Sequence, residues 1–237
     1  MKTTTIRPSG ERGRSDFGWL DSRHTFSFGG YDDPAHRGFH SLRVINDDRV
    51  AAGMGFGKHP HRDMEILSYV VEGGLVHEDS MGNRETVRAG GVQYMSAGSG
   101  EVHSEFNASK NEAVHFLQIW ILPDVRGAEP RYAEWRAGDG GDGLVIAASP
   151  DGVDGSLKIR QDARMFVGRF VAGARTCYEA PAGRAVWIQM ISGVLGLPVV
   201  ELAAGDGLAI EGGGSFELSI PVGAHFLLFD LAAVPKP

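Results

Sequence analysis

The sequence has one cysteine, no long apolar run and no cluster of basic residues, and each absence excludes a class of protein. Cys177 stands alone among 237 residues, so no intrachain disulfide can form and a reducing compartment is expected. The formal net charge of −7, without a Lys/Arg cluster, argues against direct contact with nucleic acid or an anionic membrane surface. The start, MKTTTIRPSGERGR, lacks the apolar segment of a secretory signal, and no apolar stretch reaches the roughly 18 residues of a membrane span. We therefore expect a cytoplasmic protein.

Helical periodicity is also scarce, whereas glycine is frequent, with 34 residues. Short runs rich in Val, Ile, Leu and aromatic residues recur with Gly or Asp between them, as in SLRVIND, EILSYVVEGG and LSIPVGAHFLLFDL. Strands of this length and spacing are typical of an all-β sandwich or barrel.

The two halves of the chain resemble each other across a polar segment, 123–143, that is rich in Pro and Gly and typical of an inter-domain linker. The matching segments are AVHFLQIWIL (113–122) with GAHFLLFDL (223–231), EILSYVVEGGL (65–75) with WIQMISGVLGL (187–197), and VRAGGVQYM (87–95) with ELAAGDGLAI (201–210). A repeat of roughly 100 residues indicates duplicated domains rather than a solenoid. We expect two tandem β-barrels, one in residues 1–133 and one in residues 134–237.

Two histidines one residue apart, His59 and His61 in HPHRDMEILSYV, stand at the head of an apolar run. On a strand they project from the same face, with Cβ atoms roughly 6–7 Å apart, so their imidazoles can converge on one metal ion. Pro60 favours extended backbone before it and, lacking an N–H, indicates an edge strand or a bulge. Taken alone, this pair could equally be two incidental histidines.

A second pair repeats the spacing, with His103 and Glu105 following a Gly-rich turn in AGSGEVHSEFN. The residues between the two pairs suffice for a hairpin meander that returns to the first pair. Three imidazoles and one carboxylate form a donor set suited to a divalent transition metal. Fe(II) is the expected ion, and Mn, Ni, Cu, Co or Zn would also suit the site.

Glu65 is the competing carboxylate, because it has the same strand parity as His61. His77 and Glu78 could reach the metal pocket, but they stand beside the turn DSMGN, so exposure is expected. Structural roles are expected for the remaining histidines near the strands and the N-terminus, which are His24, His36, His40, His115 and His225. The second half contains no HxH and no HxE, so its barrel is expected to be metal-free.

The stretch from Gly53 to Asn107 resembles the two sequence motifs of the cupin superfamily, except that Gly98 stands where cupins usually have Pro. Beyond these motifs, GWLDSRHTFSFGGYDDP, LRVINDDRV, HEDSMGN and VQYMSAGSGEVHSE resemble the pirin family, and most of all its bacterial pirin-like quercetin 2,3-dioxygenases. The resemblance implies an all-β bicupin of two jelly-roll barrels with one metal in the N-terminal barrel. Its ligands carry over to His59, His61, His103 and Glu105. Glu105 is also the nearest group that could accept a proton from a metal-bound hydroxyl, so it is the expected catalytic base.

This resemblance implies a metal-dependent dioxygenase that opens a flavonol ring with O2 and releases CO. The expected substrate is a small aromatic chelator. One alternative is a metal-binding regulatory protein that acts through protein partners. Another is a non-oxidative cupin enzyme such as a sugar-phosphate isomerase, which would need a basic group near the metal. Only Lys58 and Arg62 flank the ligands, and strand parity predicts that both point away from the site.

Overall fold

The structure, a computed structural model, describes residues 3–136 and 142–233. The first half of the chain forms β1 (Thr3–Arg7), β2 (Gly13–Asp16), β3 (Leu20–His24), β4 (Leu42–Val50), β5 (Gly55–His61), β6 (Glu65–Glu72), β7 (Gly74–Asp79), β8 (Arg84–Arg88), β9 (Gly91–Ser96), β10 (Glu101–Asn107), β11 (Val114–Ile121) and β12 (Arg131–Arg136). The second half forms β13 (Gly143–Ser149), β14 (Leu157–Lys158), β15 (Ala163–Phe170), β16 (Ala174–Ala180), β17 (Arg184–Gly193), β18 (Leu195–Leu197), β19 (Val200–Leu202), β20 (Gly207–Glu211), β21 (Gly214–Ile220) and β22 (Ala224–Ala232). Two 3-10 helices lie at Ser9–Glu11 and Val153–Gly155. Within the described ranges, no helix has the length and apolarity needed to cross a membrane.

The chain builds two barrels, each from one seven-stranded and one four-stranded sheet. In the first barrel the strand orders are β12-β9-β6-β11-β4-β3-β2 and β5-β10-β7-β8. In the second barrel they are β1-β20-β17-β22-β15-β13-β14 and β16-β21-β18-β19. The matching segments of the sequence therefore occupy matching places, with β6, β9 and β11 equivalent to β17, β20 and β22. The predicted all-β architecture of two tandem sandwich barrels is confirmed.

The strand pairing corrects one part of the repeat. Ser68 on β6 pairs with Gln118 and Gln93, and Ile188 on β17 pairs with Leu228 and Leu208. Ser68 is thus equivalent to Ile188, whereas the sequence match of 65–75 with 187–197 places it opposite Met190. The shift is two residues, so each side chain keeps its face of the sheet.

The two barrels pack through their seven-stranded sheets. The largest core cluster lies between these sheets and includes Leu67, Tyr69, Leu117 and Ile119 from the first barrel and Val167, Trp187, Leu227 and Phe229 from the second. The central strands are consequently buried on both faces, one toward the barrel interior and one toward the other barrel. This explains why their sequences are continuous apolar runs rather than alternating ones.

The expected linker, 123–143, contains a strand. β12 pairs along its length with β9, from Arg131↔Ser96 to Arg136↔Gly91, so part of the segment belongs to the first barrel. Its polar composition reflects an edge strand, and residues 137–141 lie outside the described residues. The domain division at 133/134 stays a prediction, although it falls inside β12. Strand β1, at the start of the chain, pairs with β20 of the second barrel.

Glu65 connects the two barrels and lies in the core. Its carboxylate accepts hydrogen bonds from the Tyr94 hydroxyl, from Ser96 Oγ at 2.6 Å and from the backbone N–H of Arg160 at 2.8 Å. Arg160 belongs to the second half and also donates from Nη1 to Ser96 Oγ at 2.7 Å. This buried acceptor therefore ties the first barrel to the segment between β14 and β15 of the second.

Replacing Glu65 with Gln should lower the free energy of unfolding by about 1–3 kcal/mol, the typical cost of a lost hydrogen bond to a charged group. The amide would present a donor to groups that are themselves donors. Urea denaturation of Glu65→Gln, beside the exposed control Glu112→Gln, measures the difference. Equal stability of the two variants would contradict this role for Glu65.

Candidate metal centre

The candidate centre lies where β5 and β10 pair in the four-stranded sheet of the first barrel. His59 stands directly opposite His103 in the antiparallel register, and His61 stands opposite Glu101. The chain between the two motifs returns β10 beside β5, as predicted. β5 is the edge strand of its sheet, which is where Pro60 can be accommodated without breaking a ladder.

Three imidazoles converge at this position. The ring centroids of His59, His61 and His103 lie 4.5–4.9 Å from one another, and one ligand atom from each falls within 4.8 Å of the other two. His59 Nδ1 lies 2.7 Å from the carbonyl oxygen of Gly57. Because a carbonyl can only accept, Nδ1 carries the proton and the lone pair of His59 Nε2 faces the cluster.

Two of these imidazoles are held neutral. Burial lowers the pKa of His61 to about 4, with further lowering by the adjacent His103 and His59 rings. Burial lowers the pKa of His103 to about 3, and His59 and His77 act in the same direction. A neutral imidazole is the form that binds a metal ion, so both rings offer a lone pair at neutral pH.

The donor atoms fit a metal ion. His61 Nε2 is buried and has no hydrogen-bond partner within the described residues. His59 Nε2 and His103 Nε2 face each other at 3.1 Å. A buried polar atom without a partner, such as His61 Nε2, is costly. A divalent cation between the three rings would satisfy all of them, and the set of imidazole donors suits a transition metal.

Glu105 lies beside His103 and is held from three directions. It is fully buried and accepts hydrogen bonds from Ser68 Oγ at 3.0 Å, Gln93 Nε2 at 2.8 Å and Gln118 Nε2 at 3.0 Å. A register shift separates His103 and Glu105 on the β5 side. In this conformation the carboxylate groups with His103 and His77, while the other set comprises His59, His61 and His103. Both sets lie in the first barrel.

His77 was expected to be exposed, and that prediction is wrong. The residue is fully buried. Strand β7 continues through Asp79 before the chain turns, and His77 and Asp79 share the inward face of Leu75. Its Nε2 lies 2.9 Å from Asp79 Oδ2, and its ring stacks on Tyr132. The alternation of side chains along the strand LVHED, which puts His77 on the same face as Leu75, could have predicted this burial.

The other residues have structural roles, as expected. The histidines outside the cluster pair within the fold, His24 with Asn46, His36 with Asp33, His40 with Glu211, His115 with Asp47 and His225 with Tyr69. Glu65 contacts none of the candidate ligands in its described hydrogen bonds.

Gly98, the departure from the cupin motif, has φ of +45°, which proline cannot adopt. A Cβ at this position would lie 2.0 Å from the Ala128 carbonyl oxygen.

Trp120 packs against the histidine cluster, and Phe28 packs against Trp120. Trp120 meets His61 edge-on at a centroid distance of 4.9 Å and meets Phe28 edge-on at 5.4 Å. A surface cavity of about 330 Å³ adjoins His61 and is also lined by Arg62 and Glu101. Parity predicted that Arg62 points away from the histidines. Arg62 lines this cavity together with Pro60 and Val102, whose strand parity is opposite to that of the histidines, so its orientation stays a prediction.

Comparison with known proteins agrees with this architecture. The family model named Pirin matches residues 5–121, and a model described as the quercetinase C-terminal cupin domain matches residues 146–231. The quercetin 2,3-dioxygenase of Escherichia coli K12 is 47% identical over 229 residues, which cover 97% of this chain and 99% of that protein.

A pirin-like protein of Caulobacter vibrioides is 38% identical over 230 residues, which cover 95% of this chain and 98% of that protein. Among solved structures, the nickel(II) complex of the bacterial pirin YhhW from E. coli is similar, with a TM-score of 0.93 and 45% identity over 98% of this chain and all of that one. With matches of this extent in both barrels, the chain belongs to the pirin family.

Proposed function

We propose that this protein is a metal-dependent dioxygenase of the pirin-like quercetinase type, which opens a flavonol ring with O2 and releases CO. The observation that supports this best is the convergence of three imidazole nitrogens beside a buried carboxylate in the first barrel. The relative named quercetin 2,3-dioxygenase, similar over nearly the whole chain, supports the same reaction.

The proposed ligands are His59, His61, His103 and Glu105. The three rings bring one ligand atom each within 4.8 Å of the others, and Glu105 lies on the same strand as His103. Fe(II) remains the expected ion. Nickel(II) is present in the crystal structure of the similar E. coli pirin, and Mn, Cu, Co and Zn also tolerate imidazole and carboxylate donors.

A bound divalent metal would lower the pKa of a hydroxyl group placed against it. The chain then has to accept that proton, and Glu105 is the carboxylate beside the cluster. Its three donors, Ser68, Gln93 and Gln118, fix the carboxylate so that it needs no reorganisation when the substrate arrives. We assign Glu105 as both a ligand and the general base.

The proposed substrate class rests on two aromatic side chains, Trp120 and Phe28. A flat chelating molecule that reaches His61 would lie against Trp120 and Phe28, and offset or edge-on aromatic contacts are favourable. Trp120 Nε1 is buried and has no hydrogen-bond partner within the described part of the chain. These features suit a flavonol-like ligand.

Removing one ring should empty the metal site while the fold persists. Replacing His61 or His103 with Ala deletes one donor of four, and affinity should fall about tenfold or more, because loss of even an outer contact has that effect. Elemental analysis of purified protein measures bound metal, and circular dichroism checks the fold. Wild-type metal content in both variants would contradict the assignment. Because the second barrel is expected to bind no metal, wild type should hold one equivalent per chain.

Two buried carboxylates should respond differently to the same change. Glu105→Gln keeps the size and one oxygen but removes the charge, so turnover of a flavonol should fall about 100-fold or more, the range for a positioned acid–base group. Glu65→Gln is the matched control, with an equally buried carboxylate that contacts none of the proposed ligands. It should retain activity and lose stability. An active Glu105 variant beside an inactive Glu65 variant would reverse the assignment.

A further inference from the structure

A buried network lies behind His103, on the side away from the other two rings. His77 Nδ1 lies 3.5 Å from His103 Nδ1, and His77 Nε2 lies 2.9 Å from Asp79 Oδ2. Neither His77 nor Asp79 has an accessible side chain. Gln93 Nε2 completes the network, at 3.1 Å from His77 Nδ1 and 2.8 Å from Glu105 Oε1.

The partners fix which nitrogen of His77 carries the proton. An ionised carboxylate only accepts hydrogen bonds. His77 Nε2 therefore carries a proton and donates a hydrogen bond to Asp79. His77 Nδ1 is then an acceptor, which agrees with the amide N–H of Gln93 beside it. The two amide protons of Gln93 thus serve His77 and Glu105.

The orientation of Gln93 supports this arrangement. Its own oxygen, Oε1, is buried without a partner within the described residues. Rotating the amide by half a turn would aim that oxygen at the Glu105 carboxylate and at the His77 lone pair, and three acceptors would face one another. The amide therefore donates to both neighbours, even though its oxygen stays without a hydrogen bond.

We propose that His77 is a positioning residue for the metal centre. Its Nδ1 lone pair, shared with the Gln93 amide, also accepts a longer hydrogen bond from the Nδ1–H of His103, so that His103 presents Nε2 to the metal. Asp79 orients the His77 ring, and Gln93 couples the same ring to Glu105. One network thereby aims both ligands of β10. The inference rests on the proposed metal site, and it adds residues that touch neither metal nor substrate.

The test measures the affinity of purified wild-type and variant proteins for Ni(II) in competition with a chromophoric chelator. His77→Phe keeps the flat ring that stacks on Tyr132 at a centroid distance of 4.5 Å but removes both nitrogens. Loss of a hydrogen bond behind a ligand typically costs about 10–100-fold in metal affinity, so we expect that loss here. His77→Gln, which offers both a donor and an acceptor, should recover part of it.

His115→Phe is the matched control. His115 is another buried histidine of the first barrel, and its Nε2 lies 2.7 Å from Asp47 Oδ1. It shares the face of β11 with Leu117, which packs against the second barrel. This variant should bind Ni(II) like wild type. Equal losses in His77→Phe and His115→Phe, or no loss in His77→Phe, would overturn the proposal.

His61→Ala separates this inference from the proposed site. If His61→Ala loses affinity and His77→Phe does not, the positioning role alone fails. If wild type binds no Ni(II), or His61→Ala binds it normally, the metal site itself fails and the inference fails with it.

A measurement on wild type keeps the proposal testable if His77→Phe does not fold. In the Zn(II)-loaded protein with 15N-labelled histidine, long-range 1H–15N NMR reports the protonated nitrogen of each ring. His77 should be neutral with its proton on Nε2. A proton on Nδ1 of His77 would block the contact with His103 and overturn the proposal.

Discussion

A carboxylate without solvent access needs hydrogen-bond donors, and the three donors of Glu105 determine how the first barrel differs from the second. Ser68, Gln93 and Gln118 are cross-strand neighbours on β6, β9 and β11, and all three donate to it. A buried charge without partners typically costs about 3–5 kcal/mol. At the equivalent ladder positions the second barrel has only apolar residues, which are Ile188, Leu208 and Leu228. The polar triad therefore permits a carboxylate in one barrel, and the apolar triad fills the other.

The fold places this polar interior next to an accessible edge. The seven-stranded sheet is covered on its outer face by the second barrel, so substrate can approach only elsewhere. The histidines of β5 lie on an edge strand of the four-stranded sheet, which keeps His59 and His61 partly exposed while His103 and Glu105 are buried. If these four residues bind one metal, as proposed, the site would combine two buried ligands with two partly exposed ones.

Much of the architecture and the candidate site could be predicted from the sequence, for identifiable reasons. His59 with His61, and His103 with Glu105, are spaced i,i+2, which places both members of each pair on one face of a strand. The continuous apolar runs predict strands that are buried on both faces. His77 was assigned wrongly because the nearby turn outweighed the alternation of β7. The donors to Glu105 could not be found, because Ser68, Gln93 and Gln118 are distant in sequence and common residue types. Only the register of the sheet brings them together.

The two barrels exchange their leading strands. β1 precedes the first repeat but completes the sheet of the second at β20, and β12 precedes the second repeat but completes the sheet of the first at β9. This reciprocal exchange is the topology of a domain-swapped dimer, enclosed within one polypeptide. A fragment that began after β12 would leave the β20 edge open to pairing with other chains. During synthesis β1 must also wait for its partner β20, about 200 residues further along the chain, and long-range contacts of this kind slow folding.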